Sequence, residues 1–312
     1  MTGEPVPTIF LGSGGFGEPS LRRLAAHPAV RMVGVVTAPP RPVGRTGTIT
    51  PTPIRAVADD LGIAPVLTPE RLRDEAAILD VLGLGADLLV LADYGRIVPP
   101  ALLESSHGAL NLHPSLLPRH RGSTPVPATI LAGDALTGVT LMRMDAGLDT
   151  GPIIAQRRWA LDGDETAPEL EADLAREGAE LLDASLEAWL AGDLTAVPQP
   201  DQGASLTRPF RRDDGRLDPT RSATELERQI RAYQPWPGSF VETPFGRLVV
   251  WAARAESRGG AQTPGTFDEH GLGVGAGERL RLDEVQPAGG RRMPWSDFRR
   301  GRPDIVGSSI VG

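Results

Sequence analysis

Apolar positions fall in two rhythms along the chain. Short apolar runs at 8–11, 30–37, 65–67, 87–91 and 109–112 have the length of buried strands. Between them apolar residues recur three and four apart, the spacing of one helix face. This predicts helices at 18–26, at 53–61 on Ile54, Val57, Ala58 and Leu61, and at 70–82. Strand and helix in alternation predict a doubly wound, mainly parallel α/β sheet. A helix at 126–132 and strands at 137–144 and 153–159 extend the pattern. The run TAPE at 166–169 is a capping box that opens a helix reaching 190, closed by Gly192. Leu170, Leu174, Leu181 and Trp189 are its core positions.

The rhythm then changes. Residues 193–206 mix Pro198, Pro200 and Gly203 with polar side chains and read as a linker. SATE at 222–225 caps a helix to 233, which QPWPGSF at 234–240 stops. Short apolar strands at 247–252, 271–274 and 280–285, separated by glycine turns, have the pattern of a small β-barrel. The expected division is a catalytic domain at 1–192, the linker at 193–206 and a β-barrel domain at 207–312.

Composition narrows the chemistry. The 312 residues are 40% hydrophobic, enough for a core, and contain no cysteine. Disulfides, thiolate catalysis and Cys-ligated zinc are thereby excluded. Every basic residue apart from histidine is Arg, so lysine Schiff-base chemistry is excluded too. No His and carboxylate cluster has ligand spacing, so no metal is expected. No apolar run nears the roughly 18 residues that span a bilayer, and the N-terminus lacks a basic, then apolar, leader. A cytoplasmic protein without membrane contact is expected. The net charge of −8 is split: residues 1–206 hold 15 Arg against 26 acidic residues, and 207–312 hold 17 Arg against 14. The first part is therefore acidic and the second mildly basic.

Two motifs could carry chemistry. GSGGFG at 12–17 is a G-x-G-x-x-G between a strand and a helix. A NAD site would place an acid at the end of the next strand, where Thr37, Ala38, Pro39 and Pro40 stand instead. Arg41 or Arg45 would suit a 2′-phosphate, so an NADP-dependent oxidoreductase is the alternative. The second motif is NLHPSLLP at 111–118. Asn111 and His113 share a strand face, and Pro114 ends the strand beside them. That is the end at which open α/β sheets bind ligands. Asp149, in a glycine-flanked loop, could fold back onto His113. With no Ser or Cys between them, these three do not form a nucleophile triad. An amide and a protonated imidazole can donate to a developing oxyanion, with the carboxylate keeping the imidazole charged.

NLHPSLLP followed by DTG at 149–151 resembles the folate-dependent formyltransferases. RHRGSTP at 119–125 and AGDALTGVTLM at 132–142 extend the likeness. DDGR at 213–216, RAYQPWPG at 231–238 and VQP at 285–287 resemble the C-terminal domain of the tRNA-acting members, which is similar to an OB-fold. The resemblance implies transfer of a formyl group from 10-formyltetrahydrofolate to the α-amine of initiator methionyl-tRNA. A small-molecule sugar amine is the alternative acceptor within the family. Asn111, His113 and Asp149 would be catalytic. The folate would be held by Ala92, Asp93 and Tyr94, by Ser115, Leu116, Leu117 and Pro118, and by Met144, Asp145 and Gly147. Asp93 stands where the family has a small residue. Arg41 and Arg45 in the 38–53 loop would meet the tRNA, although the family's lysine pair there is replaced by Gly47 and Thr48. Arg291 and Arg292 would add contacts, in a stripe with Arg279, Arg281, Arg299, Arg300 and Arg302. In this family the glycine turn is not a dinucleotide site. The chain is expected to act as a monomer.

Overall fold

Seven strands form the sheet that positions the site, in a computed structural model that describes residues 4–43, 47–256, 263–275 and 277–311. In chain order the elements up to residue 190 are β1 (Val6–Leu11), α1 (Glu18–Ala26), β2 (Val30–Val36), β3 (Arg41–Val43), β4 (Thr48–Thr50), α2 (Pro53–Asp60), β5 (Val66–Leu67), α3 (Glu75–Leu82), β6 (Leu88–Ala92), β7 (Ala109–His113), α4 (Pro125–Ala132), β8 (Leu136–Arg143), β9 (Ile153–Ala160) and α5 (Ala167–Leu190). The sheet order is β5-β2-β1-β6-β7-β8-β9. Pairing is parallel from β5 to β7 and antiparallel at β8 and β9. All five residues of β6 are buried, as a strand covered on both faces requires. Ile9, Leu11, Leu89, Leu91 and Leu102 pack into one core cluster with Tyr94.

Local chemistry explains the boundaries. Thr52 caps α2, its Oγ1 accepting from the Arg55 amide at 3.1 Å. The helix expected over 70–82 begins only at Glu75. Arg96 Nη1 takes the carbonyls of Pro69 and Glu70 at 2.7 and 2.6 Å, the groups a first helical turn would use. The 38–53 loop contains an antiparallel pair, β3 with β4, in which Arg41 lies opposite Thr50. Its exposed, proline-bearing strands carry too little apolar alternation to be read from sequence.

The chain forms two units. The first is Met1–Pro125, Leu136–Ala160 and Glu171–Arg208; the second is Val126–Ala135, Leu161–Leu170 and Pro209–Gly312. Residues of the stretch expected as a linker thus group with the first unit. Val197 exchanges two backbone hydrogen bonds with Ile153, at 2.7 and 2.8 Å.

The second unit contains α6 (Ala223–Ala232), β10 (Ser239–Thr243), β11 (Gly246–Glu256), β12 (Gly271–Val274), β13 (Glu278–Pro287), β14 (Met293–Pro294) and α7 (Trp295–Gly301). Its antiparallel sheet runs β10-β11-β13-β12, with β14 on β13. Irregular register near Ala252 bends β11 and curls the sheet into a half-barrel. Ser222 and Glu225 cap α6 reciprocally, and Leu226 and Ile230 enter the core with Phe267, Leu280 and Trp295. The pattern of apolar residues predicts neither β10 nor α7. In α7 only Trp295 and Phe298 face inward, too few to set a period.

Candidate active site

β7 lies between β6 and β8, with Asn111 opposite Leu91 and Met142 and His113 opposite Thr140. Asn111 is half-buried, and His113 is only 4% exposed. Leu112 points to the other face, its Cδ1 3.9 Å from where a Cβ on Gly178 of α5 would stand.

The two nitrogens of His113 have different fates. Nε2 lies 2.9 Å from the His120 carbonyl. A carbonyl only accepts, so Nε2 carries a proton and donates to it. Nδ1 is 3.7 Å from the nearer Asp149 oxygen, beyond hydrogen-bond distance. That same oxygen accepts from the Gly122 amide at 2.8 Å. His120 and Asp149 both hold left-handed backbone, at φ 57 and 51. Non-glycine residues keep that conformation only where neighbours enforce it.

Burial pushes the His113 imidazole below its ordinary range; the Asp149 carboxylate and the His120 carbonyl oppose the shift but do not overcome it. Desolvation thus weighs towards a neutral ring and against the charged imidazole expected from the sequence. With Nε2 occupied, Nδ1 presents a lone pair rather than a proton.

The expected folate residues divide into two groups. Ser115 is fully buried; its Oγ donates to the Arg119 carbonyl at 2.7 Å and its carbonyl accepts from Thr140 Oγ1 at 2.7 Å. Leu117 is 3% exposed and its amide donates to Thr140 Oγ1 at 3.1 Å. Both hold the loop, while Leu116 and Pro118 keep open surface. Ala92 and Tyr94 are buried, whereas Asp93 is exposed. Met144 is half-buried and Gly147 exposed. Asp145 spends its carboxylate within its own turn, accepting from the Gly147 amide at 2.9 Å and Thr150 Oγ1 at 2.8 Å.

Asp93 closes the glycine turn. Its carbonyl accepts from the Ser13 and Gly14 amides at 2.9 and 3.3 Å, and a Cβ on Gly14 would fall 1.6 Å from its carboxylate. Crowding by protein atoms, with the Glu171 carboxylate adding, pushes this carboxyl up to about 7. Its open edge lets water soften the effect.

The family models for Formyl transferase and for Formyl transferase, C-terminal domain match residues 8–186 and 210–303. The chain belongs to the formyl transferase family. It is 43% identical to the methionyl-tRNA formyltransferase of Myxococcus xanthus over 305 residues, 96% of each chain. It is 41% identical to that of Halorhodospira halophila, over 97% of this chain and 98% of the other. Among solved structures, the N-formyltransferase of Helicobacter canadensis with folinic acid and dTDP-3-aminofucose shares the fold at a TM-score of 0.65 and 18% identity, over 89% of this chain and 98% of that one. HypX of Aquifex aeolicus with tetrahydrofolic acid does so at 0.61 and 16%, over 95% of this chain and 47% of that one.

In this formyl transferase the glycines at 12 and 17 answer to packing. A Cβ at Gly12 would stand 2.8 Å, and one at Gly17 2.9 Å, from the Ala92 carbonyl. The Asp93 carboxyl beside Gly14 fills space that a pyrophosphate would need. The expected outcome is no saturable binding of NAD or NADP by calorimetry up to about millimolar ligand; micromolar binding of either would contradict this account of the turn. Among the described residues no group of three or more His, Cys, Asp or Glu could hold a metal, and no helix is long and apolar enough to cross a membrane.

The arginines also divide. Arg41 pairs with Glu70 at 2.6 Å on the surface, and Arg45 lies outside the described residues. Arg279 is held by Asp268 at 2.6 Å and Glu256 at 3.0 Å with its side chain 14% exposed, so it braces the half-barrel instead of joining an outer stripe. Arg281 lies 3.7 Å from Glu256, Arg299 3.6 Å from Glu269 and Arg300 3.3 Å from Asp297. Arg302 lies 5.3 Å from the Phe245 ring centroid. Arg292 pairs with Glu284 at 2.9 Å and stacks 4.1 Å over the Trp251 ring. Arg291 is exposed beside it. Three residues of the site are not evident in the sequence: His120 and Gly122 lie inside RHRGSTP, where their types announce no role, and Gln199 carries no local signal.

Proposed function

We propose that this formyl transferase moves the formyl group of 10-formyltetrahydrofolate onto the α-amine of initiator methionyl-tRNA. The observation that carries the acceptor is the near-full-length similarity to relatives named for that reaction. The chemistry rests on Asn111, His113 and Asp149. Leu116, Pro118, Asp93 and Met144 offer the open surface for the folate. Residues 207–312 supply tRNA contacts through Arg291 and Arg292, with Arg41 and Arg45 contributing from the 38–53 loop.

The amine attacks the formyl carbon directly. As charge builds on the formyl oxygen, the Asn111 amide donates to it. The amine sheds a proton as the new C–N bond forms, and the lone pair on His113 Nδ1 takes it; the imidazolium returns that proton to N10 of the folate as the bond from the formyl carbon to N10 breaks, which releases tetrahydrofolate and the formylated amine. Asp149 stabilises the resulting imidazolium, and the His120 carbonyl keeps Nε2 as the donor throughout. The imidazole thus acts as the base, a different part from the charged donor expected of it.

The pH dependence follows. A neutral base works above its own pKa, and burial sets that of His113 below the usual 6.5. The acceptor amine, near 7.7–8 when free, must also be neutral. Single-turnover rates should therefore rise with pH, with the enzyme's limb below 6.5 and the amine's limb higher. A pH–rate profile checks this; activity that falls as pH rises from 5 to 7 would require a charged imidazole.

In a competition assay, formyl should appear on methionyl-tRNA and not on a nucleotide-linked amino sugar; the reverse would sink the assignment of acceptor. Affinity for tRNA should fall steeply with salt, and Arg292→Ala should reduce the slope by about one. A flat salt dependence in the intact protein would remove the arginine footprint.

A further inference from the structure

The stretch that neither family model covers holds the side chain that joins the two loops around His113. Gln199 spends its whole amide on them. Nε2 donates to the carbonyls of Asp149 and Gly151 at 2.8 and 2.7 Å. Oε1 accepts from Arg121 Nε and Nη2 at 3.0 and 2.7 Å. Nearby, the His120 amide donates to Ser205 Oγ at 2.8 Å, and the Thr207 amide donates to the Arg121 carbonyl at 2.7 Å. The two residues that face the His113 ring nitrogens are those with enforced left-handed backbone. Gln199 grips one of them and Ser205 the other.

We propose that Gln199 is a positioning residue for formyl transfer: by clamping Arg121 to the turn at 149–151, it fixes the gap between the Asp149 carboxylate and His113. The gap matters because Asp149 must stabilise the imidazolium without capturing Nδ1 beforehand. At 3.7 Å the carboxylate is near enough for the first and too far for the second. The Gly122 amide holds the carboxylate from one side, and Gln199 fixes its backbone from the other. Gln199 is half-buried, so water can replace its hydrogen bonds when it is removed. The fold then survives while the geometry loosens, and displacements of about 1 Å cost about 10²-fold in rate.

The effect on rate rests on the function proposed above; the effect on the imidazole does not. The test uses the full chain with Gln199→Ala and Gln199→Glu. Turnover of 10-formyltetrahydrofolate with methionyl-tRNA should fall about 10- to 100-fold in Gln199→Ala, with KM for both substrates within about 2-fold and an unchanged melting temperature. In an Asp149→Ala background the same change should add less than about 2-fold, because the two act through one contact. The His113 ring, titrated by NMR without substrate, should move to lower pKa in Gln199→Ala. Asp149 raises that pKa, whereas the other facing groups, the His120 carbonyl and imidazole, stay in place. Gln199→Glu keeps an acceptor for Arg121 but sets a carboxylate against two carbonyls, so it should lose turnover as well. It carries the test if the alanine variant fails to fold. Wild-type turnover with an unmoved His113 titration, or a full additional loss in the Asp149→Ala background, would overturn the proposal. A wild-type protein that formylates no methionyl-tRNA would overturn the functional reading instead, and the imidazole titration would still decide the positioning.

Discussion

His113→Ala is expected to lower formyl transfer by about 10²- to 10⁴-fold while the protein stays folded. The ring supplies the base, and its Nδ1 is the nitrogen left open once Nε2 is bound to the His120 carbonyl. Asn111→Ala removes an oxyanion donor and should cost about 10²- to 10³-fold. Asp149→Asn separates charge from shape: an amide oxygen can still accept from Gly122, but no negative charge faces the imidazolium. It should lose rate with little change in melting temperature. Single-turnover kinetics on folded variants, with circular dichroism as the control, check all three. Near-normal rates in any one would remove that residue from the mechanism.

Leu112→Ala is expected to cost about 2–5 kcal/mol of stability, the usual range for truncating a fully buried leucine. Leu112 is 1% exposed in β7, between Asn111 and His113, and it packs toward α5. The cavity would open directly beneath the site, so activity should also fall at temperatures where the fold remains intact. Urea unfolding reads the first effect through the midpoint at constant slope. A loss under about 1 kcal/mol would mean that α5 collapses onto the gap.

The period of apolar residues placed the sheet and most helices because each element has one face to bury. Helix α1 and strand β12 fall at their expected bounds, and the capping boxes before α5 and α6 mark real starts. The misses have a common cause in tertiary contacts. Arg96 cuts short the helix expected from 70, and residues from the expected linker pair with β9 and with the loop at 121. No local pattern announces such long-range hydrogen bonds. The site was legible as residue types: an amide and an imidazole two apart on a strand, with a carboxylate in a glycine-bounded loop. Its protonation state was not. Whether Asp149 or burial governs His113 depends on a 3.7 Å gap and on how much water reaches the ring, neither of which is written in the sequence. Arg279 makes the same point. Its strand position suggested an outward charge, and only the fold shows Asp268 and Glu256 closing around it.

The most direct measurement is a rapid-quench single turnover of the intact protein with formyl-labelled 10-formyltetrahydrofolate and charged initiator tRNA. The expected result is label passing from folate to methionyl-tRNA in one phase, with none trapped on the protein and none released as formate. Label held on the protein, or formate released at the same rate without tRNA, would contradict direct transfer at Asn111, His113 and Asp149.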